Sequence, residues 1–216
     1  MRKQNIKGVW HSGIPSWAEL KKMAQAGTIS QVLSEGDLIP IRLADGEENA
    51  IRVTHDQAGN MFFVFENCLD KPFSMNAGGW VKSEMRAYLN KEIAKQLPDD
   101  LLKSIEPISI EQEIPDETCV KSRDKLFLLS EEQVFGKSRL YSIPEKGVSQ
   151  LMVFKSSMEH RVKSRGGKPS WWRLRSPYSD SNASFVYVFS GGAVGYCYAN
   201  YSGGVVPGFC LIEPKK

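Results

Sequence analysis

The sequence lacks the spacings that announce metal or redox chemistry. Its four cysteines, Cys68, Cys119, Cys197 and Cys210, include no C-x-x-C pair, so neither a zinc cluster nor a thioredoxin-like site is indicated. They read as free, mostly buried thiols, with a Cys197–Cys210 disulfide left open should their strands be neighbours. Histidine is scarce: His11, His55 and His160 lie in separate segments, and none forms an H-E-x-x-H ligand pair. There is no G-x-S-x-G nucleophile elbow and no G-x-x-x-x-G-K-[ST] phosphate loop. "SGGAVG", Ser190 to Gly195, joins two strand-like runs and opens no helix, so it is a poor phosphate cradle. The expectation is a protein without catalytic residues, cofactor or metal.

Long apolar runs are missing as well. No window approaches the roughly 18 apolar residues of a membrane-spanning helix. "MRKQNIKGVWHSGIPSW" is basic but has no apolar segment behind it, which speaks against a secretory signal. A soluble chain without a membrane partner is expected, cytoplasmic or virion-associated sooner than exported. Charge of one sign is absent too: 28 basic and 25 acidic residues leave a net +3, interspersed along the chain, which gives little field for a polyanion.

What is present is enough apolar material for a core, 41% hydrophobic and 10% aromatic in 216 residues. This suits one α+β domain over 16–214 behind an N-terminal extension of 1–15. "SWAELKKMAQA" opens with Ser16 and Glu19 spaced as a capping box, hence a short helix. "DLIPIRL", "AIRVTH" and "MFFVFEN" are strand-like runs separated by Asp-Gly and Gly-Asn turn signals, hence an antiparallel meander. Met85, Leu89, Ile93 and Leu97 recur every four residues, which predicts one helix from Lys82 to Leu97, followed by one more turn in "DDLLKSI". "EPISIEQEI" and "DKLFLLS" read as strands, and Ser130 caps a short helix in "EEQVFG". Gln150 to Arg165 is mixed and could be helical, and Lys163 to Lys168 reads as a loop. "SWWRLRS", "SFVYVFS", "AVGYCYAN" and "GVVPGFCLI" then form a four-run hairpin array.

The stretch "RVKSRGGKPSWWRLRS" combines cations with tryptophans, the residue types that neutralise phosphates and stack on bases. Strand alternation weakens a nucleic-acid reading: Trp172 and Leu174 point one way, and Trp171, Arg173 and Arg175 the other. A core strand with paired arginines is the plainer account. Trp80 is expected to pack at the entry of the central helix, and Arg86 to reach the Leu174–Pro177 strand through an acid. Arg175 is expected in a hydrogen-bonded structural position.

Five segments in fixed order carry a resemblance: "SWAELKKMAQAGTISQVLSEGD", "GGWVKSEMRAYLN", "DKLFLLSEEQVFG", "LRSP" and "GVVPGFCLI". Together they resemble a bacterial and phage domain family of uncharacterised function, over nearly the whole chain from Ser16 to Ile212. Where that family has an aromatic before Leu-Arg-Ser-Pro, this chain has Arg173, which implies a more basic local surface. The family is similar to the C-type lectin-like fold group, which includes formylglycine-generating enzymes and the variable proteins diversified by retroelements. The resemblance implies a binder, such as a phage attachment protein or an adhesin module, more than a catalyst. The Glu-Pro-Asn or Gln-Pro-Asp and Trp-Asn-Asp sets of calcium-dependent lectins are missing, so calcium is not implied. Formylglycine chemistry would rest on Cys197 and Cys210, both in apolar strand-like contexts where thiols are usually inert.

The tail agrees with a binder. Between Asp180 and Gly208 it uses Tyr, Ser, Asn, Gly and Phe, the palette of antibody loops. The expected contact residues are Tyr187, Phe189, Tyr196, Tyr198, Asn200 and Tyr201, with Asp180 and Asn182 at the rim, facing a protein or glycan target. The chain is expected to be a monomer or a small homo-oligomer. A well-made tyrosine-rich sheet without a partner is the plainer alternative.

Overall fold

Local signals set the first elements of the computed structural model, which describes residues 15–76, 78–115, 117–137 and 141–215. His11 and all but Pro15 of the expected N-terminal extension lie outside these residues. Helix α1, Trp17–Gln25, begins at the Ser16–Glu19 capping box. Its Trp17 meets Phe63 and Phe209 edge-on, with centroids 5.6 and 5.7 Å apart. The meander follows as β1 (Leu38–Arg42), β2 (Glu48–His55) and β3 (Met61–Phe65). All five residues of β3 are buried, because the strand is covered on both faces, as a continuous apolar run requires.

The expected helix from Lys82 to Leu97 is interrupted. Helix α2 (Gly79–Lys82) stops at Ser83, whose backbone is extended at ψ 144, and α3 (Glu84–Tyr88) restarts from the Ser83 hydroxyl, which accepts from Arg86 N. A π turn over Leu89–Ile93 and a 3-10 turn over Ala94–Gln96 complete the segment. Asn90 lies within the wide turn, donating to the Arg86 and Leu126 carbonyls and accepting from Lys125 and Leu126 N–H. A side chain inserted at the helical ladder is a recognised cause of such irregularity. The apolar face still holds, since Met85, Leu89, Ile93 and Leu97 are all buried.

Helix α4 (Asp99–Ser104) leads to a two-stranded ladder of β4 (Ile108–Ile114) and β5 (Glu117–Asp124). In "DKLFLLS" Asp124 closes β5 and only Phe127–Leu128 forms a further strand, β6, before α5 (Glu131–Phe135) starts at a Ser130–Gln133 capping box. The mixed segment contains α6 (Met152–Ser156) and a 3-10 turn at Met158–Arg161. Lys163 to Lys168 is not a loop: β7 (Lys163–Arg165) and β8 (Lys168–Ser170) form a hairpin. Gly166 and Gly167, at φ +56 and +75, make the tight turn with positive φ at both central positions that matches strand twist.

The C-terminal array divides. β9 (Trp172–Tyr178), β10 (Ser181–Val188) and β11 (Val194–Tyr198) form an antiparallel sheet in the order β11-β10-β9. β9 runs on through Pro177 and Tyr178, so only Ser179 and Asp180 separate it from β10. The last run leaves this sheet: β12 (Pro207–Phe209) inserts between β3 and β6, giving the order β1-β2-β3-β12-β6. Pro207, without an N–H, is tolerated as the first residue of that strand. The molecule is thus α+β, with mostly antiparallel sheets and short helices.

Candidate functional site

A buried polar network fixes the base of the C-terminal sheet. Arg175 on β9 donates through Nε and Nη2 to Glu145, with Nη2 to Oε2 at 2.6 Å, and through Nη1 to Leu128 O and Gln133 Oε1. Gln112 on β4 donates to Glu145 Oε1 and Arg175 O, and its own Oε1 accepts from Trp80 N. Trp80 Nε1 reaches Asp124 at 2.9 Å, and Arg86 Nε binds the same carboxylate at 2.6 Å. The acid beside Arg86 is therefore Asp124 of β5. It does not bridge directly to Leu174–Pro177, which Arg86 reaches only by way of Asp124, Trp80 and Gln112. Trp80, Trp172 and Arg175 are buried structural residues.

Arg173 corrects a second expectation. It is 0% exposed and adds nothing to the basic surface. β9 is covered on both sides from Trp172 to Pro177, so neither parity of those side chains reaches water. Lys163 and Arg175 are buried too, which removes three cations of the basic stretch from reach of a polyanion. Arg173 Nη2 instead donates to the carbonyls of Tyr198 and Tyr201, at 2.7 and 2.6 Å. It pins the turn that follows β11.

The tyrosines above this base fall on two faces. Val186 stands opposite Tyr196, and Tyr187 opposite Gly195; by alternation Tyr196 and Tyr198 leave one face, and Tyr187 and Cys197 the other. On the first face Tyr196 stacks on Tyr178, centroids 4.0 Å apart and planes 3° from parallel, with Tyr141 tilted at 5.5 Å. The Tyr178 hydroxyl donates to Asp180 at 3.1 Å. That bond, and then the one to Tyr196, push the Tyr178 phenol up to about 12. Asp180 is exposed at the β9–β10 turn, and Asn182, half-buried in β10, accepts from Gly78 N through its carbonyl.

On the opposite face Tyr187 meets Trp171 edge-on at 5.2 Å and Phe189 at 4.7 Å. With Ser190, Cys197 and Tyr201 they line a shallow open hollow of about 350 Å³. Trp171 packs against Gly203: a Cβ there would stand 2.4 Å from the ring, so only glycine lets the indole settle at this depth. Tyr198, 63% exposed, and Tyr201, 54% exposed, meet edge to face at 6.1 Å around the end of β11. Asn200 is exposed between them.

The expected contact residues are therefore neighbours, but they do not form one surface. Asp180 and Tyr196 share a side with Tyr178 and Tyr141, while Tyr187, Phe189 and Tyr201 share the hollow. Trp171, Tyr141, Ser190 and Cys197 were absent from the expected contact set. Strand parity could have separated Cys197 from its flanking tyrosines.

All four cysteines are free among the described residues. Cys197 lies on β11 and Cys210 just beyond β12, bridged to Glu106, and both are free, so the pairing left open does not form. Burial pushes both thiols up, Cys210 most, while Arg173 pulls Cys197 partly back. Among the described residues no group of three His, Cys, Asp or Glu is placed to hold a metal ion, and no helix is long and apolar enough to cross a membrane.

The family described as Domain of unknown function (DUF6273) matches residues 59–213. The match starts in the β2–β3 turn, yet β1 and β2 continue the sheet that β3 and β12 share. No curated protein and no solved structure matches the chain.

Proposed function

The chain belongs to the DUF6273 family, and we propose that it is a non-catalytic binding protein of C-type lectin-like architecture, presenting the aromatic edge of its C-terminal sheet to a protein or glycan target. The observation that carries this reading is the exposure of Phe189, Tyr196, Tyr198 and Tyr201 along the β10–β11 hairpin and the turn that follows it, on both of its faces. Large apolar side chains clustered on a surface mark interaction sites far more often than scattered ones do. Tyrosines contribute wide contact area at little entropy cost, and here Arg173 and the ring stacks hold them in place before any partner arrives.

Cysteine catalysis is less well supported: the two candidate thiols sit apart, and burial holds both in the unreactive protonated form. Diversification by a retroelement would fall on the exposed positions, since they contribute least to the core. A reverse transcriptase gene beside a near-copy of the 3′ coding end is the observation that would establish it.

The test is a screen of arrayed glycans and purified surface proteins with wild-type protein and the Tyr198→Ala/Asn200→Ala variant. A ligand whose affinity falls at least about tenfold, while the melting temperature holds, supports the reading. A ligand bound equally by both proteins overturns it for this edge.

A further inference from the structure

Two arginines of β9, two residues apart, are both fully buried and are treated differently. Arg175 has the Glu145 carboxylate, with additional bonds to Gln133 and the Leu128 carbonyl. Arg173 has no carboxylate among the described residues. Its Nη2 is taken by two carbonyls, and its buried Nε and Nη1 have no hydrogen-bond partner. A buried ion left without a counter-charge is strongly unfavourable, and the carbonyl bonds need only one of its nitrogens.

The place of this cation is what gives it meaning. Its guanidinium lies 5.1 Å from the Trp171 ring centre, and its charge opposes the upward push that burial gives the Cys197 thiol. Trp171 and Cys197 both line the aromatic hollow, so the unpartnered donors stand directly behind its floor. The lining contains no acid and no amide: besides aromatic rings it has the Ser190 hydroxyl and the Cys197 thiol. Low-dielectric walls focus the field of a charge into such a space.

An aromatic enclosure alone suits organic cations. With a guanidinium beneath it and no carboxylate in its wall, a cation is repelled instead. A flat apolar group stacks against the rings, and a negative charge on it is attracted by the field of the buried guanidinium behind them. We propose that the hollow between Trp171, Tyr187, Phe189 and Tyr201 is a subsite for a flat apolar group bearing a carboxylate, selected by Arg173. This rests on the binding reading above and narrows it to one chemistry at one face.

Three probes of the same size separate the charge from the stacking: benzoate, benzyl alcohol and benzylamine, titrated into the full chain by calorimetry and ligand-observed NMR. Benzoate is expected to bind at least about tenfold more tightly than benzyl alcohol, and benzylamine more weakly than either, as the field of a nearby cation without a counter-charge implies. Arg173→Met should bring benzoate down to the benzyl alcohol level. Because that change also frees the Tyr198 and Tyr201 carbonyls, Cys197→Asp serves as a second variant. It places a carboxylate beside the guanidinium, keeps the carbonyl bonds, and should abolish the benzoate preference at an undiminished melting temperature. Equal affinity for benzoate and benzyl alcohol in the wild type, or a preference for benzylamine, overturns the proposal and leaves the macromolecular binding reading standing. Binding of none of the three overturns the subsite itself, whereas the Tyr198/Asn200 test decides the wider reading independently.

Discussion

Glu132 is buried with one carboxylate oxygen satisfied and the other not. Its Oε2 accepts from Glu145 N at 2.6 Å, whereas Oε1 has no hydrogen-bond partner and only Lys137 Nζ at 3.9 Å. Burial, with the Glu145 charge adding to it, raises this carboxyl above the ordinary range. A folded-state pKa above the unfolded one means that folding takes up a proton. The stabilising contribution is full below the unfolded pKa and is lost as pH rises through the raised folded value. Glu132→Gln should therefore be more stable relative to wild type at pH 8 than at pH 4, since the amide oxygen still accepts from Glu145 N and carries no charge. Urea midpoints across that pH series check it. An offset between the two proteins that does not change with pH would show that the wild-type carboxylate is not the titrating group.

At the scale of elements, the Ser83 junction carries the next expectation. Its hydroxyl accepts from Arg86 N at 3.1 Å and donates to Trp80 O at 2.7 Å, inside the core. Ser83→Ala removes the cap of α3 and frees a buried carbonyl, so a loss of about 1–2 kcal/mol is expected, read from chemical denaturation. Ser83→Asp keeps the cap acceptor but not the donor, and should recover part of that loss. The junction shows what sequence conveys about elements. Spacing of four gave the buried face of this segment correctly, because a face tolerates both a break and a wide turn. The break itself follows from a serine with an acid after it, a signal easily overlooked inside a strong periodicity. β5 was unreadable for a different reason: "ETCVKSRD" has no apolar alternation, because it pairs with β4 alone. The β7–β8 hairpin was hidden by its charges. Lys163 is buried only because Glu66 stands 3.7 Å away, on the far side of the chain's order, and such pairing is a tertiary fact.

Across the whole molecule, the α+β class and antiparallel pairing were readable from turn signals and alternation, whereas the destination of the last strand was not. Nothing in "GVVPGFCLI" distinguishes pairing with β11 from insertion between β3 and β6. The same holds for the candidate site: residue types showed where an exposed aromatic edge would be, but its division into two faces needed the register of β10 on β11. Arg175 joins the two sheets that this topology creates. From β9 it grips the β6 carbonyl of Leu128, Gln133 of α5 and Glu145, while Gln112 of β4 holds its own carbonyl. Removing one partner of a buried pair costs about 3–5 kcal/mol, against a total stability of about 5–15 kcal/mol for a typical domain. Arg175→Met should thus leave the protein only marginally folded at 37 °C. Arg175→Met/Glu145→Leu removes both charges at once and should recover part of the loss. Full recovery is not expected, since Gln133 and the Leu128 carbonyl still lose a donor. Denaturant midpoints of the two single variants and the double variant form a cycle, and the coupling they give should be at least about 1 kcal/mol. A single variant within about 0.5 kcal/mol of wild type would mean that the sheets are held together by apolar packing alone, and that the network only orients the strand leading to the aromatic edge.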